Sequence, residues 1–321
     1  MMPGMRMSTT DARFPAMAAG YESFYLRACH PDGGLGVWLR YTVHRAPGRP
    51  PSGSLWFTLF GADGPVATKV TVPNPVADDW IRIGDARLGP GRATGGANDV
   101  TWDLRFTGAD PLFHLPFGWL YRAPLPKTKP VSQHPIARFD GTVTVGGRRI
   151  ELAGWPGMVG HNWGTQHAER WIWLHGMAFD GAGDDTWLDL TLARVRVGGR
   201  TTPWVAAGAV SVAGERLALG GLGRRPRVVE TPTSLQFAVP GRDLVVAGTA
   251  SAPKERFVGW VYADPDGSEH HTANCSIADL TLRVARPGRA ALSLHAAGRA
   301  AYELGMRERD HGIPIQPFAD G

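Results

Sequence analysis

The sequence has little cysteine and no long apolar run. Its 321 residues include two cysteines, Cys29 and Cys275, which are too few for a disulfide framework, a four-cysteine zinc site or a CxxC redox pair. No stretch approaches the roughly 18 apolar residues of a membrane-spanning helix. The first 20 residues lack the apolar core of a signal peptide. We therefore expect free, partly buried thiols in a soluble, cytoplasmic protein without an integral membrane segment.

Lysine is also scarce, although the net charge is positive. Of 34 cationic residues only four are lysines, and the formal net charge is +5. The densest basic patch, residues 224–227 (RRPR), is short and has no aromatic neighbours on which bases could stack. This pattern excludes nucleic acid as an expected partner.

Several motifs of cofactor and hydrolase chemistry are missing. The chain has no GxxxxGK[ST] phosphate loop, no GxSxG nucleophile elbow and no HExxH zinc motif. The glycine-rich run at residues 220–223 lacks the strand-to-helix context of a dinucleotide site. We therefore expect neither a cofactor nor a metal.

Glycine and proline are abundant and punctuate short apolar runs. The 42 glycines and 26 prolines argue against an all-α fold, because each one inside a helix costs roughly 1–3 kcal/mol. Hairpin signals separate many of the runs, most clearly Asp264-Pro265-Asp266-Gly267. The pattern predicts an all-β protein of antiparallel sandwiches or barrels, with a domain boundary near residue 165.

The segment from Trp155 to Trp187 concentrates aromatic and imidazole side chains. It holds five of the twelve tryptophans and three of the eleven histidines. Residues two apart on a strand share a face, which groups Trp171, Trp173 and His175, and likewise Trp187 with Asp189. The alternate positions are aliphatic. The first face has the composition of an apolar ligand pocket with a few polar groups.

Other interpretations of this segment stay open. Three of its histidines, His161, His167 and His175, are an alternative metal site, and the tryptophans alone are also typical of a structural seam between sheets. Asp189 is alternatively an exposed carboxylate paired with an arginine. His270 and His271, further along, are expected in a turn.

The run from Gly160 to Gly164 (GHNWG), followed by Trp171-Ile172-Trp173, resembles the signature of the hydroxyneurosporene synthase (carotenoid 1,2-hydratase) family. That superfamily also includes tocopherol-cyclase-like proteins, pericyclase-type enzymes and lipid-binding factors. The close match covers residues 138–190. Residues 157–176, 270–280 and 302–318 resemble an actinobacterial-type branch. The resemblance implies two lipocalin-like antiparallel β-barrels packed against each other: a tail at 1–20, one barrel at 21–165 and the other at 166–321.

The resemblance also implies catalytic residues. In the hydratases a His-x-Trp pair and a downstream acid serve proton-initiated addition to an isoprenoid double bond, which corresponds here to His161, Trp163 and Asp189. Trp187 stands where a tyrosine is expected, two residues before the acid. A carboxyl in a Trp-lined pocket has its pKa raised by desolvation, so we expect Asp189 to be a neutral acid, with indole faces stabilising the cation.

The expected function is cofactor-independent hydration, cyclisation or isomerisation of an isoprenoid or polyketide-like molecule in a cleft between the barrels. The remaining polar and aromatic side chains of the segment are predicted to bind the substrate: Asn162, Glu169, Trp171, Trp173, His175 and Trp187. A non-catalytic lipid carrier using the same cleft is the alternative, and a metal-dependent enzyme is a third possibility.

Overall fold

The computed structural model describes residues 11–318, so half of the predicted tail lies outside the described residues. Within this range the chain is almost entirely β, as predicted, with three short 3-10 helices at Phe14–Ala16, Gly118–Tyr121 and Lys254–Arg256. The first eleven strands are β1 Gly20–Cys29, β2 Gly36–Arg45, β3 Ser52–Phe60, β4 Val66–Pro73, β5 Ile81–Ile83, β6 Ala86–Gly89, β7 Arg92–Ala97, β8 Val100–Gly108, β9 Leu112–Phe113, β10 Thr128–Val145 and β11 Arg148–Gly164.

Twelve further strands follow, and all but β14 and β15 belong to a second large sheet. They are β12 Arg170–Met177, β13 Trp187–Arg194, β14 Arg196–Val197, β15 Arg200–Thr201, β16 Val205–Val212, β17 Glu215–Gly220, β18 Arg227–Thr231, β19 Ser234–Pro240, β20 Val245–Ser251, β21 Val258–Ala263, β22 Glu269–Ala285 and β23 Leu292–Met306.

The two large sheets are antiparallel throughout. The first runs β4-β3-β2-β1-β11-β10-β8-β7-β6-β5, with β9 on β10, and the second runs β17-β16-β13-β12-β23-β22-β20-β19-β18, with β21 on β22. Each large sheet curls back on itself, so that strands from its two ends approach each other. The Asn98 amide donates to Thr68 Oγ1 on β4 (2.7 Å), and Leu219 on β17 pairs with Gly241 just after β19. The antiparallel prediction is confirmed, whereas complete closure into barrels stays a prediction.

Each sheet surrounds its own apolar core. Phe24, Leu26 and Val159 belong to the first. Ile172 and Leu174, on the aliphatic face of β12, belong to the second. The second core also takes in Trp38 and Trp56 from the outer face of β2 and β3, so the outer face of the first sheet packs against the second sheet. The change of sheet falls between residues 164 and 170, while the division into two domains at 165 remains a prediction.

No helix among residues 11–318 is both long and apolar enough to cross a membrane. Cys29 and Cys275 are free, as expected, and they are fully rather than partly buried. Burial raises the pKa of the Cys275 thiol to about 12, so this sulfur stays protonated and packs as a small apolar group.

Candidate active site in the cavity between the sheets

A cavity of about 430 Å³ lies where the two sheets meet, a size that suits a small organic ligand. Strands β1, β2 and β11 of the first sheet contribute to its wall, and so do β12, β13 and β16 of the second. The segment from Leu115 to Pro130 borders the same space. Six aromatic side chains form much of the wall: Tyr21, Tyr25, Trp38, Trp171, Trp173 and Tyr262.

Two of these aromatic rings lie directly over glycines. A Cβ placed on Gly160 would come within 2.2 Å of the Tyr25 ring, and one on Gly305 within 2.1 Å of the Trp171 ring. Gly160 is the first residue of the GHNWG motif. The motif therefore leaves room for Tyr25, whose ring also meets Trp173 edge-on at 5.4 Å.

The Tyr25 hydroxyl stays protonated in this environment. Burial raises the pKa of the phenol well above its ordinary value, and the nearby carboxylates of Asp189 and Glu303 raise it further. A protonated phenol on the cavity wall is a hydrogen-bond donor for a substrate oxygen.

The titratable group best placed to act in the cavity is His167. Its ring is stacked between Tyr21, 4.0 Å away, and Trp171, 5.3 Å away. Asp264 Oδ1 accepts hydrogen bonds from both the His167 backbone N–H and ring Nδ1, each at 2.7 Å. The Nδ1 contact leaves Nε2 as the nitrogen available to a ligand. This is the arrangement by which a carboxylate orients a catalytic imidazole and stabilises its protonated form.

Asp264 is ionised and fully buried. Burial alone would raise its pKa, but the hydrogen bonds and charge of His167 hold the pKa of this carboxyl below its usual value. The Ser268 hydroxyl donates to the second carboxylate oxygen at 3.2 Å. Asp264 thus places a fixed negative charge behind His167.

His270 lies beside this pair, and neither of its ring nitrogens has a hydrogen-bond partner. It is fully buried at the start of β22, so its predicted place in a turn is wrong. Ligand atoms of His167, Asp264 and His270 lie within 4.8 Å of one another, and these are the described residues that could hold a metal. Burial is the largest cause that lowers the pKa of His270 to about 3, so it is neutral at ordinary pH.

A carboxylate and a guanidinium complete the polar part of the wall. Glu303 accepts hydrogen bonds from Trp171 Nε1 (3.0 Å), the Tyr262 hydroxyl (3.2 Å) and Asn274 Nδ2 (2.8 Å). The Arg40 guanidinium lies 3.9 Å from the centre of the Tyr262 ring. These contacts fix the aromatic rings and place a carboxylate at the polar edges of Trp171 and Tyr262.

Four of the six predicted substrate-binding residues line the cavity: Asn162, Glu169, Trp171 and Trp173. The other two do not. His175 is buried beyond Trp173, where its Nδ1 accepts from Arg27 Nη1 (2.9 Å) and its Nε2 donates to the Pro135 carbonyl (2.8 Å). Trp187 packs in a separate small core with Cys29 and Met177.

The predicted catalytic pair on β11 faces away from the cavity. His161 Nε2 meets Glu22 Oε1 at 2.6 Å, with both side chains fully buried. The His161 ring stacks on Phe24 at 4.0 Å, inside the first core. Trp163 packs against Tyr121 and Val131. The alternation along β11 instead places Asn162 on the cavity wall and Gly160 behind the Tyr25 ring.

Asp189 is fully buried behind Trp173 and does not line the cavity. Its environment differs from the expected one. The Ser132 hydroxyl donates to Oδ2 at 2.5 Å and Trp173 Nε1 donates to Oδ1 at 3.3 Å. Burial would raise the pKa, but His114, His175 and Ser132 outweigh it and hold the pKa of this carboxyl below its ordinary value. The expectations of a raised pKa and of an exposed, arginine-paired carboxylate are both wrong. Its catalytic role stays a prediction.

The alternative site of three histidines is also wrong. His161 is bonded to Glu22, His167 to Asp264, and His175 to Arg27. Glu169, a half-buried residue of the cavity wall, pairs with Arg307 at 3.7 Å.

The neutral His175 makes stability depend on pH. Burial is the largest cause that lowers its pKa from 6.5 to about 4, and the Arg27 charge adds to it. Between these two pH values the unfolded state binds a proton that the folded state does not bind. The contribution of His175 to stability is therefore fully present above pH 6.5 and is lost as the pH is lowered toward 4, by up to about 3 kcal/mol. We expect urea unfolding at pH 7 and pH 4.5 to show this loss, and His175→Asn to reduce the slope by nearly one proton. Exposed His295→Asn is the control, and an unchanged slope in His175→Asn would contradict the assignment.

The sequence is similar to that of two known proteins. No family model matches the chain. Two proteins of Mycobacterium tuberculosis, MT0513 of strain CDC 1551 and Rv0493c of strain H37Rv, are each 27% identical over 290 residues, covering 85% of this chain and 83% of theirs.

Solved structures show the same architecture at low sequence identity. The AttH-like protein NE1406 of Nitrosomonas europaea has a TM-score of 0.60 at 12% identity, over 96% of this chain and 98% of its own. Kievitone hydratase of Nectria haematococca has a TM-score of 0.51 at 10% identity, over 90% and 89%. The chain therefore has the lipocalin-like fold that these two structures share.

Sequence reasoning missed four residues that line the cavity, Tyr21, Tyr25, Tyr262 and Glu303. It also missed Asp264, the buried partner of His167. A signal was present for Tyr21 and Tyr25, because they alternate with Glu22 and Phe24 along β1 and so share one face. Nothing local marks Asp264, which reaches His167 across 97 positions of sequence.

Proposed function

We propose that the protein is an acid–base enzyme of the hydro-lyase type, acting on a hydrophobic isoprenoid- or polyketide-like molecule in the cavity. The observation that carries the proposal is the His167–Asp264 pair on an aromatic wall. A protein that only stores a lipid needs the apolar volume but has no use for a buried carboxylate aligned on a cavity-lining imidazole.

His167 serves both proton transfers of a hydration. Protonated His167 gives the Nε2 proton to an alkene carbon, and the cation that forms is stabilised by the faces of Trp171 and Trp173 and by the charge of Glu303. Water then forms the C–O bond, and its proton returns to Nε2. The reverse sequence removes water, and loss of a different proton from the cation gives isomerisation. The Tyr25 hydroxyl donates to an oxygen of the substrate.

Two lines support this choice of reaction class. Kievitone hydratase, whose name states a hydration, shares the fold over most of both chains. The site also has the parts that a proton-initiated addition needs: an imidazole oriented by a carboxylate, a protonated phenol and aromatic faces for a cation.

The test follows solvent protons. The purified protein is first extracted with solvent and its bound compound identified by mass spectrometry. That compound, with a prenyl-substituted phenol and a linear polyprenol as further probes, is then incubated with the protein in D₂O. Proton-initiated hydration, cyclisation and isomerisation all leave solvent deuterium on substrate carbon.

We expect deuterium at a carbon of the former double bond at a rate well above background. Compounds that bind stoichiometrically without any exchange would overturn the proposal and favour the carrier. Exchange that requires a stoichiometric metal, shown by elemental analysis and chelation, would overturn the metal-free mechanism.

A further inference from the structure

We propose that the rim of the cavity mouth docks on an anionic membrane surface, from which the hydrophobic ligand enters. The rim consists of two segments, residues 113–127 before β10 and residues 194–205 around the β14–β15 hairpin. Both segments contribute to the cavity wall, through Leu115, Leu120 and Leu125 in the first and Val195, Val197 and Val205 in the second. The mouth is therefore flanked by both.

Large apolar side chains project from the rim into solvent. Trp119 is 65% exposed, and Phe117 stacks with it at 6.3 Å and is itself exposed. Leu125, Val197 and Val205 are exposed as well, and each also borders the cavity. Tryptophan and phenylalanine beside aliphatic side chains are typical of surfaces that enter the interface of a bilayer.

The exposure of Trp119 is fixed by its neighbours. The Tyr121 hydroxyl donates to the Pro130 carbonyl (2.8 Å) and accepts from the Leu115 backbone N–H (3.1 Å). Lys129 Nζ donates to two carbonyls of the same turn, those of Leu120 and Ala123. Leu120 is thereby directed to the cavity and Trp119 to solvent. The segment is anchored with its largest apolar side chain outward.

Charge identifies the kind of membrane. Neither residues 111–131 nor residues 193–205 contain an aspartate or a glutamate. They do contain cations outside the cores: Arg122, Lys127, Arg194, Arg196 and Arg200. Exposed cations around inserted aromatic side chains complement phosphatidylserine or phosphatidylglycerol headgroups. The partner of this surface is therefore an anionic bilayer, and the experiment below distinguishes it from a second copy of the chain.

The experiment measures partitioning onto vesicles by cosedimentation. The probes are phosphatidylcholine vesicles, with and without phosphatidylserine. We expect binding to the anionic vesicles to be at least about tenfold stronger and to weaken at high salt. The variant Phe117→Ser/Trp119→Ser should bind about tenfold more weakly to both. The variant Arg122→Gln/Arg200→Gln should bind the anionic vesicles much less than wild type does.

Matched controls lie at the far end of the second sheet. Val245→Ser/Leu292→Ser removes exposed aliphatic side chains, and Arg242→Gln/Arg283→Gln removes exposed cations. Both should bind as wild type does. Equal binding to the two vesicle types, binding to neither, or rim variants that bind like wild type would overturn the proposal. The proposal would also be overturned if wild type and the control variants sedimented as dimers while the Phe117→Ser/Trp119→Ser variant sedimented as a monomer. No substrate is used, so these outcomes leave the acid–base proposal untouched.

Discussion

Replacing His167 with asparagine is expected to lower turnover by about a thousandfold, because one imidazole carries the proton to carbon and takes the proton from water. Binding of the extracted ligand should change little, since Trp171, Trp173 and the other aromatic walls remain. Turnover is measured as deuterium incorporation from D₂O, and binding as ligand retained in native mass spectrometry. Exposed His295→Asn is the matched control and should match wild type. Wild-type exchange rates in His167→Asn would remove the residue from the mechanism.

Asp264→Asn separates the charge of this residue from its structural contacts. The amide oxygen can still accept the His167 backbone N–H, so a purely structural role would be preserved. We expect kcat to fall by about a hundredfold or more while KM changes little, because only the charge that stabilises the imidazolium is lost. Unfolding midpoints of variant and wild type should be compared. An unchanged kcat would show that Asp264 has only a structural role in the turn.

Strand faces were predictable from the sequence, but the part of a face that meets the ligand was not. Alternation along β12 correctly separated Ile172 and Leu174 from Trp171 and Trp173. His175 continues the same face, yet it lies beyond the cavity, against Arg27 and Pro135. Period-two alternation gives a direction for each side chain, whereas the extent of a cavity depends on what the opposite sheet places there.

The same limit explains the assignment on β11. His161 and Trp163 do share a face, but pairing with β1 turns that face toward Phe24 in the first core. Which face of a strand is inner depends on pairings across more than 100 positions, which no local pattern encodes. The segment that carries the resemblance does border the cavity, through Asn162 and Trp171, but the face of β11 that holds His161 and Trp163 is the opposite one.

Asp264 shows how one motif can carry two roles. The Asp-Pro-Asp-Gly signal correctly predicted the hairpin, since Ala263 pairs with Glu269 across the turn. In the structure the first aspartate of the turn is also the buried partner of His167. In the sequence, a role in the turn is a sufficient explanation for Asp264. Its contact with His167 becomes visible only when the turn packs against the β11–β12 connection.

Gly160→Ala is expected to disturb the site from behind the cavity wall. The new Cβ would stand 2.2 Å from Tyr25 Cζ and 2.5 Å from its hydroxyl oxygen, so the ring must move against Trp173. Overpacking of this kind costs roughly 1–3 kcal/mol of stability. We expect deuterium incorporation to fall about a hundredfold, because displacement of catalytic groups by about 1 Å has effects of this size.

A double-mutant cycle attributes the loss to Tyr25. In a Tyr25→Ala background the added methyl group has space, so Gly160→Ala should then cost little further activity and little further stability. Additive losses in both quantities would show that Gly160 acts elsewhere, on the β1–β11 pairing itself. A coupled loss would mean that the glycine of the GHNWG motif acts by leaving room for the Tyr25 ring. The motif would then shape the cavity through its smallest residue, while its histidine and tryptophan support the wall from the other side.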